Sequence, residues 1–317
     1  MKLKGFKMLA CLGGLGLMMT QTAQAQAFDY KQYAQPQVMG QQSDSKLEEV
    51  SGLAVAHSRS PYFWAINDGG NSPSLMLLDG KGKFKSQLNL EQLGNHDWED
   101  LETFVMDGKN YIAIADIGDN FSRRKVYYVH LVPEPKIFPD GQIGPVSREQ
   151  IKTIAFQYED GPRDAEALGI DLLNKRILLL TKRDAPPRMY SLPLIMQPQR
   201  FVYRAKHLTD MNELGQMSFS GDYLTQTLYA GMPTSMTVMP DQLTMATPKA
   251  TSLAVLSYGA VWFFDLINKE PPSAQKNHMI KLPAMPQAEA MAVDAQGEIT
   301  VLSEITGSNM IRIPRLM

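Results

Sequence analysis

The chain has 317 residues, 20% of them charged and 44% hydrophobic, with a formal net charge of −2. This composition excludes a disordered chain, and the near-neutral charge without a long basic run excludes a nucleic-acid footprint. The length suits one large all-β unit as well as two smaller domains.

The first stretch reads as an export signal. Lys2, Lys4 and Lys7 precede the apolar run Met8–Met19, which is too short to span a bilayer. Ala23-Gln24-Ala25 and Ala25-Gln26-Ala27 both fit a small-x-small cleavage rule. A signal peptide over 1–27 is therefore expected, with a periplasmic or secreted domain over 28–317 and no membrane span. Cys11 is the single cysteine and would leave with the signal, so disulfides, thiolate metal sites and cysteine nucleophiles are excluded from the mature chain. Without the three signal lysines, 28 basic residues face 33 acidic ones, a net of −5.

The mature chain carries a weak repeat. Ser51-Gly-Leu-Ala-Val leads through a turn to Tyr62-Phe-Trp-Ala-Ile-Asn-Asp68. Glu99-Asp-Leu-Glu-Thr-Phe leads through Asp107-Gly108 to Tyr111-Ile-Ala-Ile-Ala-Asp116. Glu166-Ala-Leu-Gly-Ile-Asp and Glu289-Ala-Met-Ala-Val-Asp open two later copies. Each copy is two apolar runs around a Gly, Asn or Asp turn, which is a hairpin signature. Further strands follow most copies, such as Leu75–Asp79 and Phe84–Leu90. Long helical periodicity is absent. Four strands repeated every several tens of residues predict an all-β fold, a single β-propeller of about six four-stranded blades. Met217-Ser-Phe-Ser-Gly-Asp is expected to open one blade and Met236-Thr-Val-Met-Pro-Asp another. The last copy ends after its third strand, Asn309–Pro314. The N-terminal strand, within Phe28–Val38, is expected to complete it, since closing the ring removes an exposed sheet edge.

Aligning the copies places Glu99, Glu166 and Glu289 at one register, with Ser51 in the first copy. Their second strands end at Asp68, Asp116, Lys182, Tyr258 and Glu304. In an antiparallel hairpin the start of one strand lies beside the end of the next, so both sets are expected on one rim. Carboxylates converging in a cleft repel unless a cation compensates, and calcium accepts such oxygens with loose geometry. The expected metal ligands are Glu99, Glu166, Glu289, Asp68, Asp116 and Asn120. Salt bridges to Arg163, Lys182 and Arg183 are the alternative. Asp116, Glu304 and His96 are candidate acid–base residues; His96 stands beside Asp97.

Two paired segments, Asp97-Trp98-Glu99-Asp100 and Ala115-Asp116-Ile117-Gly118-Asp119-Asn120, resemble those of exported propellers known as esterase-like phytase domains. Glu49-Val-Ser-Gly-Leu-Ala-Val, Trp64-Ala-Ile-Asn-Asp-Gly-Gly, Asp164-Ala-Glu-Ala-Leu and Glu289-Ala-Met-Ala-Val fit the same pattern. More distantly the layout is similar to calcium-dependent lactonase and phosphotriesterase propellers. The resemblance implies a monomeric, calcium-assisted hydrolase of a small ester, lactone or phosphoester at the channel mouth. The alternative is a non-catalytic propeller that binds a ligand or protein on the same rim.

Overall fold

The computed structural model describes residues 32–198, 200–214, 228–239, 250–267 and 273–316. The expected signal peptide, residues 28–31 and the Met217 segment lie outside them. The described chain is all-β, with short 3-10 turns at Ser45–Leu47 and Arg148–Gln150. Among the described residues no helix is long and apolar enough to cross a membrane.

After strand β1 (Gln37–Gln41) the chain forms a succession of four-strand meanders. The first contains β2 (Val50–Val55), β3 (Tyr62–Asn67), β4 (Ser74–Asp79) and β5 (Phe84–Asn89). The second contains β6 (Trp98–Met106), β7 (Lys109–Asp116), β8 (Tyr127–Pro133) and β9 (Lys152–Tyr158). The third contains β10 (Ala165–Asp171), β11 (Arg176–Thr181), β12 (Arg188–Pro193) and β13 (Tyr203–Asp210). A short parallel pairing of β13 with β9 joins the second and third into one eight-stranded sheet. Next come β14 (Pro233–Val238), β15 (Ala250–Ser257), β16 (Ala260–Ile267) and β17 (Ser273–Lys281). The last sheet contains β18 (Ala288–Val293), β19 (Ile299–Ser303) and β20 (Asn309–Ile313), with β1 on its outer edge.

The first strands of these units neighbour one another in a ring, in the order β2, β6, β10, β14, β18 and back to β2. This is a propeller-like arrangement. Among the described residues five units complete the ring, where the sequence predicts about six. Met236 and Ser252–Ser257 belong to one unit, and the Met217 segment contributes no described strand. The closing strand lies later than expected: Gln37–Gln41 pairs with Asn309–Arg312, sharing Gln37 and Val38 with the expected segment, and Tyr33 within that segment bridges to Arg315.

Sequence pattern explains the inner and outer strands. Inner β10 is buried at every residue, because neighbouring sheets cover both its faces. Outer β5, Phe-Lys-Ser-Gln-Leu-Asn, alternates half-buried and exposed residues, the signature of a one-sided strand. Asp107 and Gly108 both take positive φ, 50° and 71°, which gives the tight hairpin twist between β6 and β7.

Five large apolar clusters fill the five gaps between units. Trp64, Trp98 and Ile114 pack between the first and second, and Tyr127, Leu168 and Tyr190 between the second and third. Leu180, Met236 and Leu253 fill the next gap, then Leu256, Met291 and Val301. Leu53, Met76, Leu302 and Met310 seal the last unit against the first. Each fully buried large apolar side chain contributes about 1.5–3 kcal/mol, so the closing interface is as apolar in character as any other.

One irregularity recurs. Every inner strand slips register by one residue at its second position: between Val50 and Gly52, Trp98 and Asp100, Ala165 and Ala167, Pro233 and Ser235, Ala288 and Ala290. These are β-bulges, which re-aim a side chain while the rest of the strand keeps its pairing.

Candidate active site at the channel mouth

The bulged residues are Ser51, Glu99, Glu166, Thr234 and Glu289. Four of them line a cleft of about 190 Å³ at one mouth of the ring: Ser51, Glu99, Glu166 and Glu289. The residue just past the second strand lines it too in four units: Tyr258 in one, and Asp68, Lys182 and Glu304 in the other three. The backbone N–H groups of these last three donate to the carbonyls of Glu49, Asp164 and Gln287, at 2.9–3.0 Å. Asn120, Arg183 and Gln287 complete the wall. The structure thus brings together Asp68, Glu99, Asn120, Glu166, Glu289 and Glu304 from the residues expected in the sequence.

Asp116 is not among them. It pairs with Trp98, whereas the second-strand residues that pair at the matching place in other units are Asn67, Thr181 and Ser303. Asp116 therefore stands one residue before the register of Asp68, Lys182 and Glu304, and Ile117 takes that place, its N–H donating to Asp97 O at 3.1 Å. A one-residue slip turns a side chain to the other face. Asp116 is fully buried, held by Arg124 Nη2 at 2.7 Å and His96 Nδ1 at 2.8 Å. His96 is a mostly exposed partner of Asp116, ring-stacked on Tyr128, and does not line the cleft.

The cleft divides into two electrostatic halves. In one, Lys182 Nζ lies 3.1 Å from Glu166 Oε2 and 3.5 Å from Glu289 Oε1, with its charge 5.3 Å from the Tyr258 ring centroid. Burial alone would lower the Lys182 pKa, but Glu289, Glu166, Tyr258 and Glu99 together hold it well above its usual value. Tyr258 OH donates to Glu289 Oε1 at 2.7 Å. Burial raises the Glu289 carboxyl; Lys182 and the tyrosine pull it back, and Glu166 and Glu304 push it up again. Arg183 binds Asp164 and reaches Glu166 Oε1 at 3.7 Å.

In the other half Asp68 and Glu99 line the cleft and Asp97 stands behind them, the three offering carboxylate oxygens within 4.8 Å of one another. The ion pairs of the mouth go to Glu166, Glu289 and Asp164 instead. Burial, then Glu166 and Asp68, push the Glu99 carboxyl well above its usual range. Burial with Asp68 and Glu166 raises Asp97 to about 7. Burial and Glu166 raise Asp68 to about 6, against the N–H of Gly69. Ser51 Oγ donates to the Glu99 backbone carbonyl at 2.6 Å, with Glu99 Oε2 3.2 Å away.

Backbone approaches this triplet closely. A Cβ on Gly118 would overlap Glu99 Oε1 and lie 2.6 Å from Asp97 Oδ2, and one on Gly69 would overlap Asp97 Oδ1. At both positions an added side chain would displace these carboxylates. Three converging carboxylates with raised proton affinity and a tight backbone cradle suit a hard cation such as calcium, which prefers oxygen ligands.

Beneath the mouth, β6 sends two more acids across the channel. Asp100 accepts from Leu168 N at 2.9 Å, Met236 N at 3.2 Å, Ser235 Oγ at 3.1 Å and Leu101 N at 2.9 Å. Glu102 accepts from Ile170 N, Thr237 Oγ1 and Val238 N; burial nonetheless raises it to about 8. These acids tie the inner strands β10 and β14 to β6.

No family model matches the chain, and no curated protein matches it by sequence. The resemblance to esterase-like phytase domains thus rests on the residues alone. Among solved structures, a luciferin-regenerating enzyme aligns over 89% of this chain and 96% of its own, at 10% identity and a TM-score of 0.44. A putative gluconolactonase covers 89% and 92% at 10% identity and 0.41. A streptogramin B lyase covers 91% and 100% at 8% identity and 0.41. Similarity at this level transfers no residue role.

Asp97 is the site residue the sequence analysis leaves out of its ligand set. It immediately precedes β6, at the place held by Glu49, Asp164 and Gln287 in other units, and its carbonyl accepts the same backbone hydrogen bond as theirs. Its signal is the acidic run Asp97-Trp98-Glu99-Asp100 with Gly118 two residues past Asp116.

Proposed function

We propose that the exported chain, residues 28–317, is a five-bladed propeller closed by β1 that hydrolyses a small ester or lactone with the help of calcium. The observation that carries this reading is the Asp68–Asp97–Glu99 triplet, set beside an acid–base group made of Lys182, Glu289 and Tyr258. When bound, the cation would polarise the reacting oxygen and lower the pKa of a bound water. Asp68, Asp97 and Glu99 would hold it. The Lys182 ammonium stabilises negative charge developing on the substrate oxygen, since it is fixed by two carboxylates and needs no reorganisation. Glu289, held by the Tyr258 hydroxyl, keeps its carboxylate against that ammonium. Glu304 shares its wall. A phosphoester fits less well, because the wall is predominantly acidic and repels an anion.

The test is a turnover screen of p-nitrophenyl esters, lactones, phosphotriesters and phosphomonoesters, with calcium and with chelator. The reading expects an ester or lactone to turn over with calcium, and chelator or Asp97→Asn to abolish it. The internal ion pairs of Lys182 favour a second reading, a non-catalytic ligand-binding propeller. Calcium uptake without turnover across the whole screen would support that reading instead.

A further inference from the structure

Lys182 shows how the cleft treats an ammonium group. Its Nζ sits between Glu166 and Glu289 and over the Tyr258 face. Carboxylates plus an aromatic face are the chemistry that recognises a cationic nitrogen.

One ammonium does not complete this wall. Glu289 is 5% exposed, and its Oε1 already takes the Tyr258 hydroxyl and Lys182. Its Oε2 is buried and has no hydrogen-bond partner among the described residues. A buried carboxylate oxygen without a donor is costly, so a group that supplies one gains more than it would at the surface. Glu304 stands on the same wall, with the Gln287 amide on its Oε2. Asp68 also lines the cleft. Acceptors thus outnumber donors around Glu289. Arg183 cannot correct the excess, because it is committed to Asp164 and Glu166.

We propose that the Glu289–Glu304 wall receives an ammonium group of the ligand, which makes the substrate class an amine-bearing ester or lactone. This rests on the hydrolase reading for the ester or lactone part, but the ammonium subsite stands on Glu289 itself. A carboxylate or phosphate at this wall would meet Glu289, Glu304 and Glu166 at close range and is excluded by charge. A neutral hydroxyl could donate one hydrogen bond to Oε2 but would leave the acidic excess uncompensated.

Three small probes of similar size separate these cases: ethanolamine, ethylene glycol and glycolate. Each is titrated at neutral pH into the isotope-labelled mature chain, with calcium and with chelator, and backbone amide shifts are followed. Ethanolamine should give saturable shifts at Tyr258, Glu289 and Glu304, and ethylene glycol should bind at least tenfold more weakly. Glu289→Gln should weaken ethanolamine tenfold or more, and Glu304→Gln, at a less buried position, should weaken it too. The second variant decides the matter if the first does not fold. Absence of saturable ethanolamine shifts, equal binding of ethylene glycol, or strongest binding of glycolate would overturn the inference. The two readings fail separately. Ethanolamine binding without any calcium response removes the metal and keeps the subsite, whereas a calcium response without ethanolamine binding removes the subsite and keeps the metal.

Discussion

Replacing Lys182 by methionine removes the one ammonium that the cleft encloses and keeps the length of the side chain. Its nitrogen lies 3.1 Å from Glu166 and 3.5 Å from Glu289, so at an effective dielectric of about 20 each attraction is worth about 5 kcal/mol before desolvation. Lysine desolvation offsets much of that gain, but removal leaves two buried carboxylates without their partner. Breaking a buried pair from one side costs about 3–5 kcal/mol. The sign with pH follows from Glu289, whose folded-state pKa is already raised by burial. Without the ammonium it rises further, so the folded variant holds its proton more tightly than the unfolded chain does. Stability of the variant is then retained at acid pH and lost as pH rises through the folded-state value. Urea unfolding should show the full loss of about 3–5 kcal/mol at about pH 8, and clearly less at about pH 5. A Lys182→Met protein as stable as wild type at the higher pH would refute the claim that this lysine neutralises the mouth.

Other substitutions probe separate parts of the account. Gly118→Ala should cost about 1–3 kcal/mol by thermal or urea unfolding, because the new methyl overlaps Glu99 and crowds Asp97, and it should blunt any calcium response. Asp100→Asn should cost about 2–4 kcal/mol, since four donors converge on its carboxylate and an amide NH₂ would have to face one of them. Truncation through Gln41 should lower stability by about 2–5 kcal/mol in urea, because it strips β1 and exposes the edge of β20; truncation only to Ala27 should leave stability unchanged.

The hairpins were legible from apolar runs of strand length, several of them joined by a turn residue that accepts positive φ, as at Asp107-Gly108 and Gly297. The common rim was legible because Ser51, Glu99, Glu166 and Glu289 hold the same place at the start of the first apolar run of each copy. The bulge that aims them at the axis was not, since a register slip is a backbone event that no side chain announces. That slip explains Asp116. Counted from the apolar run it matches Asp68, yet in the ladder it stands one residue early and turns away toward Arg124. The number of units was harder to read because its sixth member depended on the Met217 segment, a polar-apolar run with no clear partner. The roles of Asp100 and Glu102 were not legible, because their partners on β10 and β14 are brought to them only by the fold. The uneven division of the ring was legible least. It depends on the Lys182 side chain reaching across to Glu289 from another unit, a contact set by tertiary structure.

Calcium titration of the mature protein by calorimetry, with matched thermal unfolding, addresses the site most directly. The account predicts one calcium per chain, with a melting temperature raised by calcium and restored by chelator; at a hundredfold excess over Kd the gain is about 2.7 kcal/mol. Asp97→Asn and Glu99→Gln should abolish uptake, whereas Glu166→Gln, at the lysine-paired side, should retain it. Absence of binding heat together with an unmoved melting curve would contradict the metal site. Loss of uptake in Glu166→Gln, with uptake preserved in Asp97→Asn, would contradict its placement.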